Sequence, residues 1–105
     1  MALRVLLQID VQPGREREFE RLWREHSSRI RELPDNHGQW LLRRTDDPSR
    51  YVVLTDWTDE ESFRAFERSE AQQEYLRRLR PLRAGGGMTL LTLVDEQPPV
   101  TAGTS

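Results

Sequence analysis

Residues 51–69 read YVVLTDWTDEESFRAFERS, and they change from a strand pattern to a helix pattern at Trp57. Tyr51–Trp57 is rich in β-branched and aromatic residues, which is typical of a strand. The segment TDEE at 58–61 places a Thr hydroxyl three residues before a Glu, the spacing of a capping box that begins a helix. Phe63 and Phe66 then fall on the inner face of a short helix.

The same helix-starting pattern recurs directly downstream. The segment SEAQ at 69–72 repeats the Ser/Thr-to-Glu/Gln spacing and predicts a third helix. Its apolar residues Tyr75, Leu76 and Leu79 are expected to point inward, and Pro81 ends it. The two short helices together therefore occupy the place of one longer helix broken in two.

Upstream of residue 51, the chain predicts a strand and a longer helix. Alternate residues from Leu3 to Val11 are apolar, which is the period of a half-buried strand. The pair Pro13-Gly14 predicts a turn. A helix is predicted over about 15–33, ending before Pro34. One stripe of this helix carries Phe19, Leu22, Trp23, His26 and Ile30.

The remaining strands complete a familiar order. Strands are predicted over 39–45, which forms a hairpin with 51–57, and over 88–94. The glycines at 85–87 are predicted to form a flexible joint. The order β-α-β-β-α-β is the ferredoxin-like split βαβ motif, an α+β fold with a four-stranded antiparallel sheet. We predict one domain over residues 1–96 and a disordered tail over 97–105, which is rich in Pro, Thr, Gly and Ser.

The face of this sheet without helices is expected to need a cover. The strands at 51–57 and 88–94 are apolar on both faces, with Val52 and Leu54 on the side opposite Val53. Because such a face is unfavourable in water, a second copy is its simplest partner. We predict a homodimer with two sheets at its centre, a dimeric α/β barrel.

Composition excludes several functions. The 105 residues carry a formal net charge of −2 and contain no Cys, so we expect no nucleic-acid partner, no disulfide and no thiolate chemistry. The two histidines, His26 and His37, lack a metal-ligand spacing, and we predict no metal and no cofactor. No apolar run is long enough for a membrane span, which predicts a soluble cytoplasmic protein without a membrane partner.

Aromatic residues are the first candidates for a binding site. They lie on predicted elements and are expected to crowd between the helices and the sheet, where they form either a simple core or a cavity for a flat, partly polar ligand. This set is Trp23, Trp40, Tyr51, Trp57, Phe63, Phe66 and Tyr75.

Three charged or titratable candidates accompany them. His26 lies on the apolar stripe of the first helix, either as a core histidine satisfied by a neighbour or as a base active near neutral pH. His37, in a predicted loop, has a weaker claim of the same kind. Arg77 belongs to the basic cluster 77–83, which is either a solvated helix end or an anion clamp at the mouth of a cavity.

The stretch 51–69 resembles the antibiotic biosynthesis monooxygenase family, as do Pro13-Gly14 with Glu18-Phe19 and the helix at 70–79. The resemblance covers roughly residues 3–95 and implies a dimeric α/β barrel. It also implies an activity, since small members of this family oxidise aromatic polyketide anthrones to quinones with molecular oxygen and without metal, flavin or haem. In such members the substrate itself supplies the electrons.

The resemblance also assigns residues. Trp57 matches a site Trp, and Arg77 matches an Arg on the last helix that would stabilise a phenolate. Val53 and Phe63 stand where quinone-forming members have Asn and Tyr. Leu76 stands where a haem-degrading branch has its His, so haem degradation is rejected.

Three functional hypotheses follow from the sequence. The first is a cofactor-independent monooxygenase acting on an aromatic polyketide, with Trp57, Trp40 and Tyr75 holding the rings and His26 or His37 as base. The second is a polyketide cyclase that works without oxygen, which the apolar Val53 and Phe63 favour. The third is a non-catalytic ligand-binding module.

Overall fold

The computed structural model describes residues 2–100 and confirms the predicted order of elements. The strands are β1 (Leu3–Val11), β2 (Asn36–Arg43), β3 (Arg50–Trp57) and β4 (Arg83–Thr92); the helices are α1 (Glu16–Ile30), α2 (Glu60–Glu67) and α3 (Glu70–Leu79), and a single 3-10 turn (Arg80–Leu82) precedes β4. Residues 93–100 contain neither helix nor strand, and the rest of the predicted tail, 101–105, lies outside the described residues.

The four strands form one antiparallel sheet in the order β2-β3-β1-β4, as the ferredoxin-like prediction requires. In its centre, Leu7 of β1 pairs with Val53 of β3 on one side and with Met88 of β4 on the other. Paired residues on neighbouring strands point to the same face, so this register decides which side chains meet the helices.

The hydrophobic core lies between the helices and one face of the sheet. Alternate residues of β3, from Tyr51 to Trp57, are buried, and Val5 and Ile9 of β1 join them. From α1, Phe19 is fully buried against this face. The alternation predicted for β1 is therefore confirmed, with Leu7 the one inward residue that is only half-buried. In β3 the inward residues are likewise buried and the residues between them are more exposed.

The opposite face of the sheet carries no helix and is partly apolar. Trp40 and Leu42 of β2 are 45% and 47% exposed on it. Trp40 pairs with Leu54, and the guanidinium of Arg4 lies 5.6 Å from the centre of the Trp40 ring. Arg4 also forms a bidentate pair with Asp56, at 2.7 and 2.8 Å. We call this surface the open face.

The glycine run is where the fold departs most from the prediction. Residues 85–87 are not a joint but part of β4, which begins at Arg83 instead of Met88 and ends at Thr92 instead of Val94. Gly86 pairs with Ile9 at a φ of +146°, and a Cβ there would lie 1.9 Å from the carbonyl oxygen of Gln8. Glycine is required because the two backbones approach too closely for a side chain.

Two boundaries near Pro34 also differ from the prediction. The helix α1 ends at Ile30 instead of about residue 33, and β2 runs over Asn36–Arg43 instead of 39–45. After Ile30 the backbone tightens, since Leu33 N–H donates to the Ile30 carbonyl at 2.9 Å. Proline disfavours helical backbone in the residue before it, so the last predicted turn of the helix becomes a tight turn.

The start of α2 is shifted by one residue. Asp59, not Thr58, caps the helix: its carboxylate accepts from Ser62 N–H at 2.8 Å, and Ser62 Oγ accepts from Asp59 N–H at 3.2 Å. The Thr58 hydroxyl instead donates to Asp35 at 2.9 Å. In α3 the predicted Ser69 cap is confirmed, since Ser69 Oγ accepts from Gln72 N–H at 3.2 Å.

No helix among residues 2–100 is long and apolar enough to span a membrane.

Candidate functional site

A cavity of about 250 Å³ lies between the three helices and the inner face of the sheet. We call it the helix–sheet cavity. Most of its wall is apolar, with contributions from every layer of the fold: Leu7, Ile9, Ile30, Val53, Phe63, Phe66 and Leu79. A concave, apolar site with a few polar groups is the usual form of a small-molecule site.

His26 is the central polar group of this wall. The amphipathic stripe of α1 turns it inward, and it is only 8% exposed. Its Nε2 lies 2.7 Å from Oε1 of Gln72 on α3. Its ring stacks on the ring of Tyr75, with centroids 3.9 Å apart and planes 4° from parallel. The imidazole is thus fixed on two sides by the same helix.

These surroundings favour the neutral imidazole. Burial lowers the pKa of His26, the Gln72 hydrogen bond opposes this, and the charge of Arg29 lowers it further. The amide oxygen of Gln72 only accepts, so this contact favours the tautomer that carries its proton on Nε2. A neutral imidazole with a free lone pair can accept a proton near pH 7.

Tyr75 supports the ring and remains protonated. Burial raises the pKa of its phenol, so the hydroxyl stays neutral over the physiological range. Its stacking on His26 makes it a wall of the helix–sheet cavity and fixes the plane of the imidazole.

Three other polar side chains of the wall, those of Gln39, Thr55 and Glu67, already have protein partners. Gln39 Nε2 donates to the Ser27 carbonyl at 2.9 Å. Thr55 Oγ1 accepts from Trp57 Nε1 at 2.9 Å, and Glu67 pairs with Arg64 at 2.8 Å. These groups hold the helices and the sheet together.

Trp57 lies behind the helix–sheet cavity. It is 1% exposed, its indole N–H is committed to Thr55, and Phe66 packs on it with ring centroids 4.7 Å apart. It lines a second cavity, of about 330 Å³, between the end of α1, α2 and the start of α3. His26 and Phe66 line both cavities and so form part of the wall between them.

The structure brings five of the predicted site residues to the helix–sheet cavity, namely Trp23, His26, Phe63, Phe66 and Tyr75. Leu76, predicted to point inward, also lines this cavity but is 37% exposed.

Four other predicted residues lie elsewhere: Arg77, His37, Tyr51 and Trp40. Arg77 is on the exposed side of α3 and pairs with Glu74. His37 is exposed on β2, with Nε2 2.8 Å from Thr58 Oγ1. Tyr51 is in the core, where its hydroxyl donates to Glu20 at 2.6 Å.

Trp40 corrects the expectation that all these aromatics lie between helices and sheet. It lies on the open face, because Gln39 and Leu41 take the inward positions of β2. A strand alternates strictly, so Trp40 must point the other way.

Sequence reasoning missed Gln72, Gln39, Thr55 and Met88 as wall residues. Gln72 had a signal, but its position three residues after Ser69 indicated a helix cap. Among residues 2–100 there is no group of three or more His, Asp or Glu side chains that could hold a metal ion.

Comparisons with known proteins agree with this architecture. The family model described as antibiotic biosynthesis monooxygenase matches residues 2–78. Protein SchA of Streptomyces halstedii is 24% identical over 101 residues, which are 96% of this chain but 27% of the length of SchA.

Two solved structures show how widely the fold recurs. SnoaB, a cofactor-independent oxygenase from Streptomyces nogalater, is similar with a TM-score of 0.83 at 23% identity, over 93% of this chain and 98% of that chain. A conserved protein from Methanosarcina mazei Go1 is similar with a TM-score of 0.82 at 20% identity, over 87% and 91%. At these identities the likeness establishes the fold.

Proposed function

Because the chain belongs to the antibiotic biosynthesis monooxygenase family, we propose that it is a cofactor-independent monooxygenase acting on an aromatic polyketide of the anthrone type. The observation that carries this proposal is His26, a neutral, stacked imidazole in the wall of an apolar cavity. The similarity to SnoaB, described as a cofactor-independent oxygenase, supports it. The cavity volume of about 250 Å³ lies just below the roughly 300–1,000 Å³ of drug-sized sites, which suits a compact, flat ligand.

The proposed chemistry asks little of the protein beyond binding and one proton transfer. His26 Nδ1 removes a proton from the acidic ring carbon or phenol of the substrate, and the resulting carbanion reduces molecular oxygen directly. The anthrone methylene loses both hydrogens; one oxygen atom becomes the new carbonyl and the other leaves as water. The apolar wall excludes bulk water from the carbanion.

The roles of the other predicted site residues depend on whether they line the helix–sheet cavity. Trp23, Phe63, Phe66 and Tyr75 would contact the rings of the substrate, since they line the helix–sheet cavity. Trp57 would act indirectly: it packs on Phe66 and donates its indole N–H to Thr55, and both of these residues line the cavity. Arg77, His37, Trp40 and Tyr51 have no direct role in this proposal, because they lie outside the cavity wall.

We also propose that the protein works as a homodimer whose open faces pack together. The apolar side chains of Trp40, Leu42 and Leu54 on that face support this. A cytoplasmic location remains a prediction from the sequence.

One observation favours the cyclase as a second candidate. Val53 and Phe63 give the wall apolar groups where quinone-forming relatives are expected to have polar ones, which leaves fewer groups to stabilise a developing oxyanion. A cyclase would use the same cavity and His26 to fold and deprotonate a poly-ketone.

Oxygen consumption tests the first proposal. Purified protein is incubated with a tricyclic anthrone, oxygen uptake is followed, and the quinone is analysed by mass spectrometry after reaction under ¹⁸O₂. We expect uptake above the uncatalysed rate, one labelled oxygen in the product, and a loss of about a hundredfold for His26→Gln. His37→Gln is the matched control and should retain activity.

The alternatives give different results. An uncatalysed rate with every anthrone tried would reject the oxygenase, and an anaerobic product from a poly-ketone would then identify the cyclase. Tight binding of a flat ligand with neither activity would leave the binding module.

A further inference from the structure

We propose that Gln72 is a positioning residue that holds His26 as the Nε2–H tautomer, so that Nδ1 is the proton-accepting atom of the site. The inference rests on the proposed function for its catalytic meaning, but the tautomer itself can be measured without any reaction. The structural basis is that Gln72, at the third position of α3, bonds to His26 and not to the cap residue Ser69.

Each short helix begins with a polar cap residue followed by a polar residue three positions later, but the two pairs form different hydrogen bonds. In α2 the side chain at the third helical position, Ser62, accepts from the N–H of the cap residue Asp59 at 3.2 Å and so closes the capping box. In α3 the third helical position is Gln72, a residue that favours the same reciprocal bond. Its side chain makes no such bond here; its Oε1 lies 2.7 Å from His26 Nε2.

The structure compensates for the diverted side chain. The N–H of the cap residue Ser69 donates to the Phe66 carbonyl at 3.0 Å, and the Ser69 hydroxyl donates to the same carbonyl at 2.7 Å. The N–H of the cap residue is thus satisfied without the Gln72 side chain, which leaves that amide free for His26.

The partner also decides which nitrogen is basic. Gln72 Oε1 accepts a hydrogen bond from Nε2–H, so the lone pair of the neutral ring is on Nδ1. The stacking of His26 on Tyr75, at 3.9 Å, holds the plane of the ring. One helix therefore fixes both the orientation and the tautomer of a base carried by another helix, as supporting groups do for catalytic histidines.

The charged and titratable groups near His26 leave Gln72 as the side chain that sets its tautomer. From α1, Arg29 acts only through its charge. Tyr75 stacks on the ring, and Glu67 of α2 is paired with Arg64. Arg83 lines the same cavity and donates to the Gly85 carbonyl at 3.1 Å, and Asp35 lines the second cavity and accepts from Thr58.

Two substitutions of Gln72 separate the effect of its hydrogen bond on the tautomer from the effect of a negative charge at the same place. Gln72→Met keeps the length of the side chain but removes the acceptor, so His26 should populate both tautomers. Gln72→Glu adds a carboxylate at the same place, which should stabilise the imidazolium and raise the pKa of His26 by about one unit. Glutamate is favoured at this helical position, so the variant should keep α3 intact.

Gln73→Glu is the matched control. It adds the same charge one residue further along α3, at an exposed side chain whose Nε2 donates to the Glu67 carbonyl at 2.9 Å. We expect this variant to behave like the unmodified protein in every measurement below.

The first measurement is ¹⁵N NMR of the histidine rings in the full chain, with His37 as an internal reference. We expect His26 of the unmodified protein to be protonated at Nε2 and unprotonated at Nδ1, and Gln72→Met to show an averaged tautomer signal. A proton on Nδ1 in the unmodified protein, or an unchanged signal in Gln72→Met, would overturn the inference.

The second measurement is the pH profile of oxygen uptake with an anthrone. We expect kcat of Gln72→Met to fall about fivefold, the effect of losing one neutral hydrogen bond, with a smaller change in KM. The acid limb of Gln72→Glu should move upward by about one pH unit, and an unmoved limb would contradict the inference. A protein whose tautomer follows Gln72 but which consumes no oxygen would reject the proposed function and leave the assignment of Gln72 standing.

Discussion

The two histidines of this chain have the same chemistry and different surroundings. His26 is buried, stacked on Tyr75 and hydrogen-bonded to Gln72. His37 is exposed and bonded to Thr58. A buried imidazole resists protonation because its charged form loses hydration, so only His26 connects the protonation state to the packing of the helices.

This difference predicts how stability depends on pH. Burial lowers the pKa of His26 in the folded protein below its ordinary value of 6.5, so the unfolded chain binds more protons between these two values. The contribution of His26 to folding is therefore fully present above about pH 6.5 and is lost as pH falls through the folded pKa. Urea denaturation from pH 7.5 to 5 should show a falling free energy of unfolding, and His26→Gln should flatten that fall.

The titration of carboxylates can be distinguished from that of His26 by the pH range in which it acts. The pKa of Glu25 is lowered by Arg78 and that of Asp59 by Ser62, so their contributions are lost only below about pH 5. His37→Gln should keep the full slope between pH 7.5 and 5. A slope that follows His37 instead of His26 would contradict the assignment.

The buried indole of Trp57 gives a second prediction. Its N–H donates to Thr55 Oγ1 at 2.9 Å, and both residues are buried. Thr55→Val keeps the shape and the strand preference but leaves the N–H without an acceptor, which should cost about 1–3 kcal/mol in the free energy of unfolding. Thr92→Val is the matched control, because Thr92 is an exposed residue of β4 that pairs with Leu3 and so lies on the face opposite to Trp40. It should change stability by less than about 0.5 kcal/mol. Equal losses in urea denaturation would show that the bond contributes nothing.

Part of the candidate site could be read from the sequence and part could not. The inward position of His26 follows from its place on the apolar stripe of α1. Its partner Gln72 is 46 residues away, and no local pattern connects them. Trp40 shows a second limit, because shifting the phase of a strand by one residue exchanges its two faces. That phase is set by pairing with β3, not by Trp40 itself.

At the scale of the elements, hydrophobic periodicity predicted correctly which segments are helices and which are strands, but it was less accurate about where they begin and end. The nine residues of β1 alternate clearly, and its predicted bounds are confirmed. The ends of α1 and β2 depend on how the backbone turns around Pro34, and the cap of α2 depends on which of two adjacent side chains reaches the free N–H groups. Thr58 and Asp59 both suit that role, and the contacts of Thr58 with Asp35 and His37 explain why Asp59 takes it.

The glycine run of β4 supplies the prediction at this scale. Gly86 is held at a φ of +146°, and a Cβ there would lie 1.9 Å from a backbone oxygen, whereas a Cβ at Gly87 would meet nothing within 4 Å. Gly86→Ala should therefore destabilise the protein by about 2 kcal/mol or more, since backbone and oxygen must both move. Gly87→Ala should be close to neutral in the same thermal denaturation. A similar effect of both substitutions would mean that the run is the flexible joint its composition suggests.

At the scale of the whole molecule, the two faces of the sheet differ. The inner face is covered by three helices and encloses the helix–sheet cavity, while the open face leaves Trp40 and Leu42 nearly half exposed. The ion pair of Arg4 and Asp56 lies among these apolar groups, 36% and 20% exposed. Exposed apolar side chains that adjoin one another on one surface are typical of a surface that packs against another protein.

The homodimer proposed for this face can be tested with one charge. Leu42→Glu places a carboxylate on a side chain that is already 47% exposed in the single chain, so it should cost the folded subunit little. It should prevent two open faces from packing, because a buried, unpaired charge is strongly unfavourable. Leu76→Glu makes the same change at a side chain 37% exposed on the helical side and should leave association intact. Sedimentation at micromolar concentration should give a dimer for the unmodified protein and the Leu76 variant and a monomer for Leu42→Glu; a dimer in all three would place the interface elsewhere.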